Sequence, residues 1–269
     1  MRCLFGAWIA LVSMFPCGVA LALQDDVALF HPSPARLFRK ATKPVDGLTS
    51  AYGKIGLAVY PVGETHRWHG RVMGGLALLS VGERFVLGAK LSVETVADDR
   101  NNIYFRLVRF YYEASLAGHW RFGPGFFSLG YRHRCSHGAD DAVVGRILIR
   151  SGVSLGYRAE LRFGSLRLRM FGGVDVTLVG QNTDTDFHPR FVLQTSFQLR
   201  WAFHKRLALL LGGGLGLFLA GNTPENQNWH IGSPFGRLQA LPAPAVAAGL
   251  AVLSRVELQV LAHYQRIVD

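Results

Sequence analysis

An all-β fold, an antiparallel transmembrane β-barrel of about ten strands with eight or twelve as the alternatives, is what this 269-residue sequence predicts. Three observations predict it. Apolar and polar residues alternate with period two over stretches longer than the strands of soluble sheets. The connections between these stretches are alternately short and long, and aromatic residues gather beside the short ones.

The chain opens on MRCLFGAWIALVSMFPCGVALALQDD, with Arg2, an apolar run and an Ala20-x-Ala22 pair suited to a leader peptidase. This predicts a signal peptide over residues 1–22 and export of the rest. A lipoprotein signal built on Cys17 is the alternative, and Phe15-Pro16 fits it poorly because small residues normally precede a lipidated cysteine. Residues 23–50, with Pro32, Pro34 and Pro44, are expected as a periplasmic arm, and residues 51–269 as the barrel domain. The one other apolar run, Leu207 to Gly221, is shorter than the roughly 20 residues a membrane helix needs and is rich in glycine, so it reads as a strand.

Period two is sustained from Ile147 to Phe163, where Ile149, Val153, Leu155, Tyr157 and Leu161 alternate with Arg150, Ser154, Arg158, Glu160 and Arg162. After Gly164-Ser165 it resumes as Leu166, Leu168, Met170, Val174 and Val176 against Arg167, Arg169, Asp175 and Thr177. The same grammar recurs from Phe85 to Val93 against Lys90, Ser92 and Glu94, from Phe191 to Phe203 against Arg190, Gln194, Gln198 and Arg200, and from Val256 to Tyr264. Short connections fall at Gly82-Glu83, Gly123-Pro124, Gly164-Ser165 and His204-Lys205. Long ones run from Ala97 to Asn102, Gly138 to Arg146, Gly180 to Pro189 and Asn222 to Ala240. Phe122, Phe127, Phe163, Trp201 and Phe203 flank the short turns, where an interfacial girdle is expected. The stretch from Val246 to Tyr264 is either one strand or a hairpin turning near Ser254-Arg255.

The formal net charge is +11, or +10 once Arg2 leaves with the leader (11 − 1). Nucleic acid is excluded as a partner because no basic run with interleaved aromatics occurs. The arginines fall instead on alternate strand positions, which predicts a lumen lined by Arg150, Arg158, Glu160, Arg162, Arg167, Arg169, Asp175, Arg190 and Arg200. Such a lumen is narrow and basic, with outer-membrane lipids and small anionic solutes as the expected partners. An exported β-sandwich or lipocalin-like barrel, apolar inside, is the competing architecture.

One stretch carries reactive side chains. FFSLGYRHRCSHGADD, from Phe126 to Asp141, puts His133, Cys135 and His137 on the face of Phe127, Leu129 and Tyr131, with Arg132, Arg134 and Ser136 on the other. Cys135 is the single cysteine left after the leader, so it has no disulfide partner within its own chain. The candidate catalytic residues are His133, Cys135, Ser136, His137 and Asp140, with Glu113 on a neighbouring strand as a candidate acid to orient the imidazole. Zinc or copper ligation by alternate residues of one face, a hydrogen-bonded strand exit and a lipid-headgroup contact through Arg132 and Arg134 are the other readings. No metal or other cofactor is predicted.

The His133-x-Cys135 pair resembles the H-x-S strand of outer-membrane acyl hydrolases, the lipid A deacylase and phospholipase A families, with a thiol in place of the hydroxyl. YRHRCSHGADD is also similar to the H-x-S-S-H-x-G-D signature of an uncharacterised family of exported β-barrels, and the similarity extends to LFHPSPARLF, GKIGLAVYPVGETHRW and LRMFGGVDVTLVG. His133, Ser136, His137 and Asp140 match that signature, whereas Cys135 and Gly138-Ala139 depart from it. This resemblance implies a fold and an outer-membrane location and no activity. The function expected is thus an integral outer-membrane barrel with surface-exposed loops, structural or solute-handling, with a lipid acyl hydrolase as the alternative.

Overall fold

The computed structural model describes residues 44–59, 68–98, 106–138, 148–182, 187–222, 228–230, 238–253 and 257–265. The expected signal peptide, most of the expected arm, and Asp140 and Asp141 lie outside them.

Among the described residues every regular element is a strand. In chain order they are β1 (Val45–Val59), β2 (Trp68–Val81), β3 (Phe85–Asp98), β4 (Arg106–Phe122), β5 (Gly125–Gly138) and β6 (Leu148–Phe163). There follow β7 (Leu166–Asn182), β8 (Phe187–His204), β9 (Leu207–Asn222), the three-residue β10 (Asn228–His230), β11 (Leu238–Leu253) and β12 (Glu257–Gln265). They form one antiparallel sheet in the order β1 through β9, then β11 and β12, each long strand beside its sequence neighbour. β10 stands off this path and pairs with the end of β7 beyond Val176, where the pairing of β7 with β8 stops.

The described strands number twelve, the upper of the alternatives to the ten expected. Eleven strands follow the main path, and β10 brings the sheet to twelve. Two segments account for the difference. Val246 to Tyr264 belongs to two paired strands, β11 and β12, and β10 lies inside the stretch from Asn222 to Ala240 expected as a long loop, where β11 also starts, at Leu238. β1 likewise begins at Val45, inside the segment expected as an arm.

The short turns are where the sequence placed them. Gly82, Gly123 and Gly164 take φ of 53°, 56° and 59°, a left-handed backbone that tight hairpins need and that a side chain opposes. Because β1 starts opposite Val81, its first residues share the rim of these turns.

Alternation sorts the side chains onto two faces. On β4, Tyr112, Leu116 and Trp120 are exposed while Tyr111 and Glu113 are buried. On β8, Leu193, Phe197, Trp201 and Phe203 are exposed while Val192, Gln194 and Gln198 are buried. The apolar face therefore points outward and the polar face inward, the reverse of a water-soluble barrel. The sheet curls to make this so: Tyr52 on β1 lies near enough to the Arg158 guanidinium on β6 for that charge to act on its hydroxyl, although four strands stand between them in the sheet. Among the described residues buried apolar side chains form small islands, such as Ala77 with Val86 and Phe126, and Val192 with Phe218 and Ala243. The inner face is small and apolar along β9 and β11 and charged along β2 to β8.

Candidate functional site: the charged inner face

Cross-strand register lays the inner residues out in rows. Arg71, Glu94, Tyr111 and Ser136 occupy one row across β2 to β5. The next row toward the short turns runs Met73, Ser92, Glu113, Arg134 and Arg150, and the one after it holds Lys90, Ser115 and Arg132. Opposite charges therefore sit beside one another or one row apart, within reach of long side chains.

The centre of this array is buried. Glu94, 1 % exposed, accepts a hydrogen bond from Arg134 Nη2 at 2.9 Å, and its other oxygen lies 3.4 Å from Arg71 Nε. His69 Nε2 is also 3.4 Å from Glu94. Glu113 takes Lys90 Nζ at 2.7 Å on one oxygen and Arg134 Nη1 at 3.5 Å on the other. The Arg134 guanidinium lies over the ring of Tyr111, 4.9 Å from its centroid. Two carboxylates thus neutralise three permanent cations in part, and the network ties β2, β3, β4 and β5 together. Unpaired, such charges would be costly to bury; paired and hydrogen-bonded, they are tolerated.

Two smaller networks lie beyond it. Asp175 accepts from Gln194 Nε2 at 2.5 Å and faces Arg132 Nη2 at 3.5 Å. Glu160 accepts from Arg162 Nε and from Arg169 Nε, each at 2.8 Å, and Arg169 also reaches Gln198. Of the other residues expected to line a lumen, Arg190 is fully buried, Arg158 lies 4.9 Å from the Phe171 ring centroid, and Arg162 and Arg167 stand at the short-turn rim. Arg150 and Arg200 are half-buried.

Sequence reasoning missed the most buried part of the inner face. His69, Arg71, Tyr111 and Glu113 were not among the expected lining residues, although Lys90, Ser92 and Glu94 already alternated with an apolar face. Glu113, one candidate for an acid to orient His133, is not placed to do so. It stands opposite Arg134, with Ala114 opposite His133, so the carboxylate and the imidazole occupy different faces.

His133 and Cys135 share the outward face with Tyr131, and both are half-buried. His133 Nδ1 lies 2.8 Å from Ser151 Oγ on β6, directly across the strand pair, so the imidazole is tied to a hydroxyl rather than to the thiol. Ser136 is buried on the inner face, which separates it from His133. The His137 side chain and Asp140 fall outside what is described. Among the described residues no group of three or more His, Cys, Asp or Glu side chains is placed to hold a metal ion. Compared with protein-family models, with curated proteins and with solved structures, the chain gives no match.

Proposed function

We propose that this chain is an integral outer-membrane β-barrel protein with surface-exposed long loops, structural or solute-handling, whose narrow basic interior admits small anions at most. One observation carries the reading: the face turned outward is apolar, while the carboxylates and guanidinium groups are enclosed. Water would not hold such a surface stably, since exposed apolar patches of that extent mark contact with lipid or protein. The leader-like N-terminus supports export.

The spacing of outward aromatics fits a bilayer. Trp120 and Phe110 on β4, and Trp201 and Phe191 on β8, are each ten positions apart (120 − 110; 201 − 191). Ten positions span about 34 Å along a strand, or about 26 Å along the normal at a tilt of about 40°, close to the roughly 25 Å apolar band between two girdles. At the short-turn rim of β4 to β6 the aromatics adjoin, with the ring centroids of Phe122 and Phe127 5.5 Å apart and those of Phe127 and Tyr157 4.8 Å apart. The interior argues against a wide pore, because the Glu94 and Glu113 networks fill it from one side. An acyl hydrolase on the outward face is the weaker reading, since Glu113 points away and Ser151 already holds His133.

Leu116 tests the proposal. It is 48 % exposed and lies between the two aromatic levels of β4. On a protein surface in water, Leu116→Arg would change stability by no more than about 0.5 kcal/mol. Facing the middle of a bilayer it costs about 2–4 kcal/mol. Urea titration of the wild type and variant folded into phospholipid vesicles reads the difference. A change within about 0.5 kcal/mol, together with a folded, monodisperse mature chain in detergent-free buffer, would overturn the proposal.

A further inference from the structure

One polar pair sits on the outward, otherwise apolar face. His133 on β5 and Ser151 on β6 stand directly opposite each other, with Nδ1 and Oγ 2.8 Å apart. The same row carries Leu91 on β3, Ala114 on β4 and Val179 on β7, and the row nearer the short turns holds Tyr131 and Val153. Leu91, Tyr131 and Val179 are exposed. The pair is therefore ringed by apolar and aromatic side chains on the same face.

Depth sets this pair apart. Ala114, opposite His133, is six positions from Trp120 and four from Phe110 (120 − 114; 114 − 110). At about 3.4 Å per position and a tilt of about 40°, His133 lies about 10 Å below the upper aromatic level, in hydrocarbon and out of reach of headgroups. An imidazole has two ring nitrogens to satisfy, and Ser151 takes one of them. Among the described residues nothing bonds the other, Nε2. Ionisable side chains at membrane depth face protein or water rather than lipid tails, because hydrocarbon offers them no hydrogen bond.

We infer that the outward face of β4 to β6, centred on His133, is the contact surface between two copies of this chain in the bilayer. The inference rests on the membrane reading given above. A partner here must offer a hydrogen-bonding group at the depth of His133. A second copy, inserted with the same topology and related by a twofold axis along the bilayer normal, presents its own His133 at that level. The two imidazoles complement each other through their tautomers. In one ring Nε2–H donates while Nδ1 accepts from the Ser151 hydroxyl; in the other Nδ1–H donates to Ser151 and the bare Nε2 accepts. Short side chains flank His133 in its row, Ala114 on one side and Ser151 on the other, which lets two backbones approach closely. Cys135 lies two positions away on the same face and is half-buried, so it reports the contact.

The test places the mature chain in phosphatidylcholine vesicles over a series of protein-to-lipid ratios and treats it with a flexible bismaleimide, which links Cys135 to Cys135. A covalent dimer and no larger species is expected, persisting at dilute ratios. Leu193→Cys in a Cys135→Ser background puts the thiol on the outward face of β8, away from the contact, and links only at the densest ratios, by collision. His133→Leu combined with Ser151→Ala replaces the polar pair by side chains that lipid accepts. It raises the protein density needed for half dimer by about tenfold, and leaves urea unfolding at dilute ratios no weaker than in the wild type. A bond that merely ties β5 to β6 predicts the reverse, weaker unfolding and unchanged association. Cross-linking of Cys135 no better than that of the β8 cysteine, or a dimer that the double variant leaves intact, overturns the inference. A chain that inserts and stays monomeric does so while leaving the membrane reading standing, whereas a chain that folds without inserting removes both.

Discussion

Arg134 is held by two carboxylates and one aromatic ring, and nothing about its own sequence neighbourhood says so. Period two places it on the inner face, but the identity of its partners depends on register, which joins it to Glu113 and, one row away, to Glu94. Glu113 was harder to read because β4 carries Tyr111 and Tyr112 in succession, so the aromatic signal fits either parity and the acid could be assigned to the outward side. Burial decides what these residues contribute. Glu94→Ala removes the carboxylate that Arg134, Arg71 and His69 share and leaves Arg134 with Glu113, and a cost of about 3–5 kcal/mol is expected. Glu83→Ala removes an exposed partner of Arg121, 3.6 Å away, and should cost less than about 1 kcal/mol. Urea unfolding of both variants in vesicles, followed by tryptophan fluorescence, makes the comparison; equal effects would mean that the inner face is solvated and the cluster does not bind the strands together. At this scale the motif around His133 was legible in its facing, and its hydrogen bond to Ser151 was not, because only the β5–β6 register brings the two side chains together.

Strands β6 and β9 were readable almost to the residue, β7 and β8 run into the stretch from Gly180 to Pro189 expected as a long loop, and β11 was not readable. Leu238 to Ala245 reads LQALPAPA, in which two prolines argue for a loop, because a proline inside a paired strand removes a ladder hydrogen bond. The structure shows why they are tolerated. Among the described residues pairing of β11 with β12 begins at Ala245, and the neighbour of Pro242 and Pro244 is β9. The two prolines are an even number of positions apart, so their missing N–H groups fall on the same side, which can be the one away from β9. Hairpin turns, by contrast, announce themselves through glycine. At Gly164 an added Cβ meets nothing within 4 Å, so any cost of replacing it comes from the backbone alone. Gly164→Val should therefore lose about 1–2 kcal/mol from the left-handed φ, and Gly164→Asn distinctly less, since asparagine tolerates that region. Equal stability of the two variants in vesicle unfolding would show that the β6–β7 turn relaxes to another type.

At the level of the whole molecule the sequence supplied the two faces of the sheet, because alternation over long strands fixes which residues share a face, but it could supply neither which face is exposed nor closure. The two ends of the sheet, β1 and β12, each have one recorded neighbour, β2 and β11. In water a free edge is tolerated, because solvent bonds its amides. Hydrocarbon offers no such partner, and each unsatisfied backbone group there costs several kcal/mol, so a membrane sheet must join its edges. The membrane reading therefore requires β12 to pair with β1, an interaction that lies across more than two hundred residues of chain and leaves no local mark in either strand. Hydrogen exchange on the chain in detergent micelles decides it. If the barrel closes, amides of β1 between Tyr52 and Val59 and those of β12 exchange as slowly as the amides of β5, which is paired on both sides. Alternate amides in β1 and β12 exchanging at the rate of the turn at Gly82 would leave both edges in water, and a sheet with wet edges and an oily outer face cannot be the lipid-embedded protein proposed.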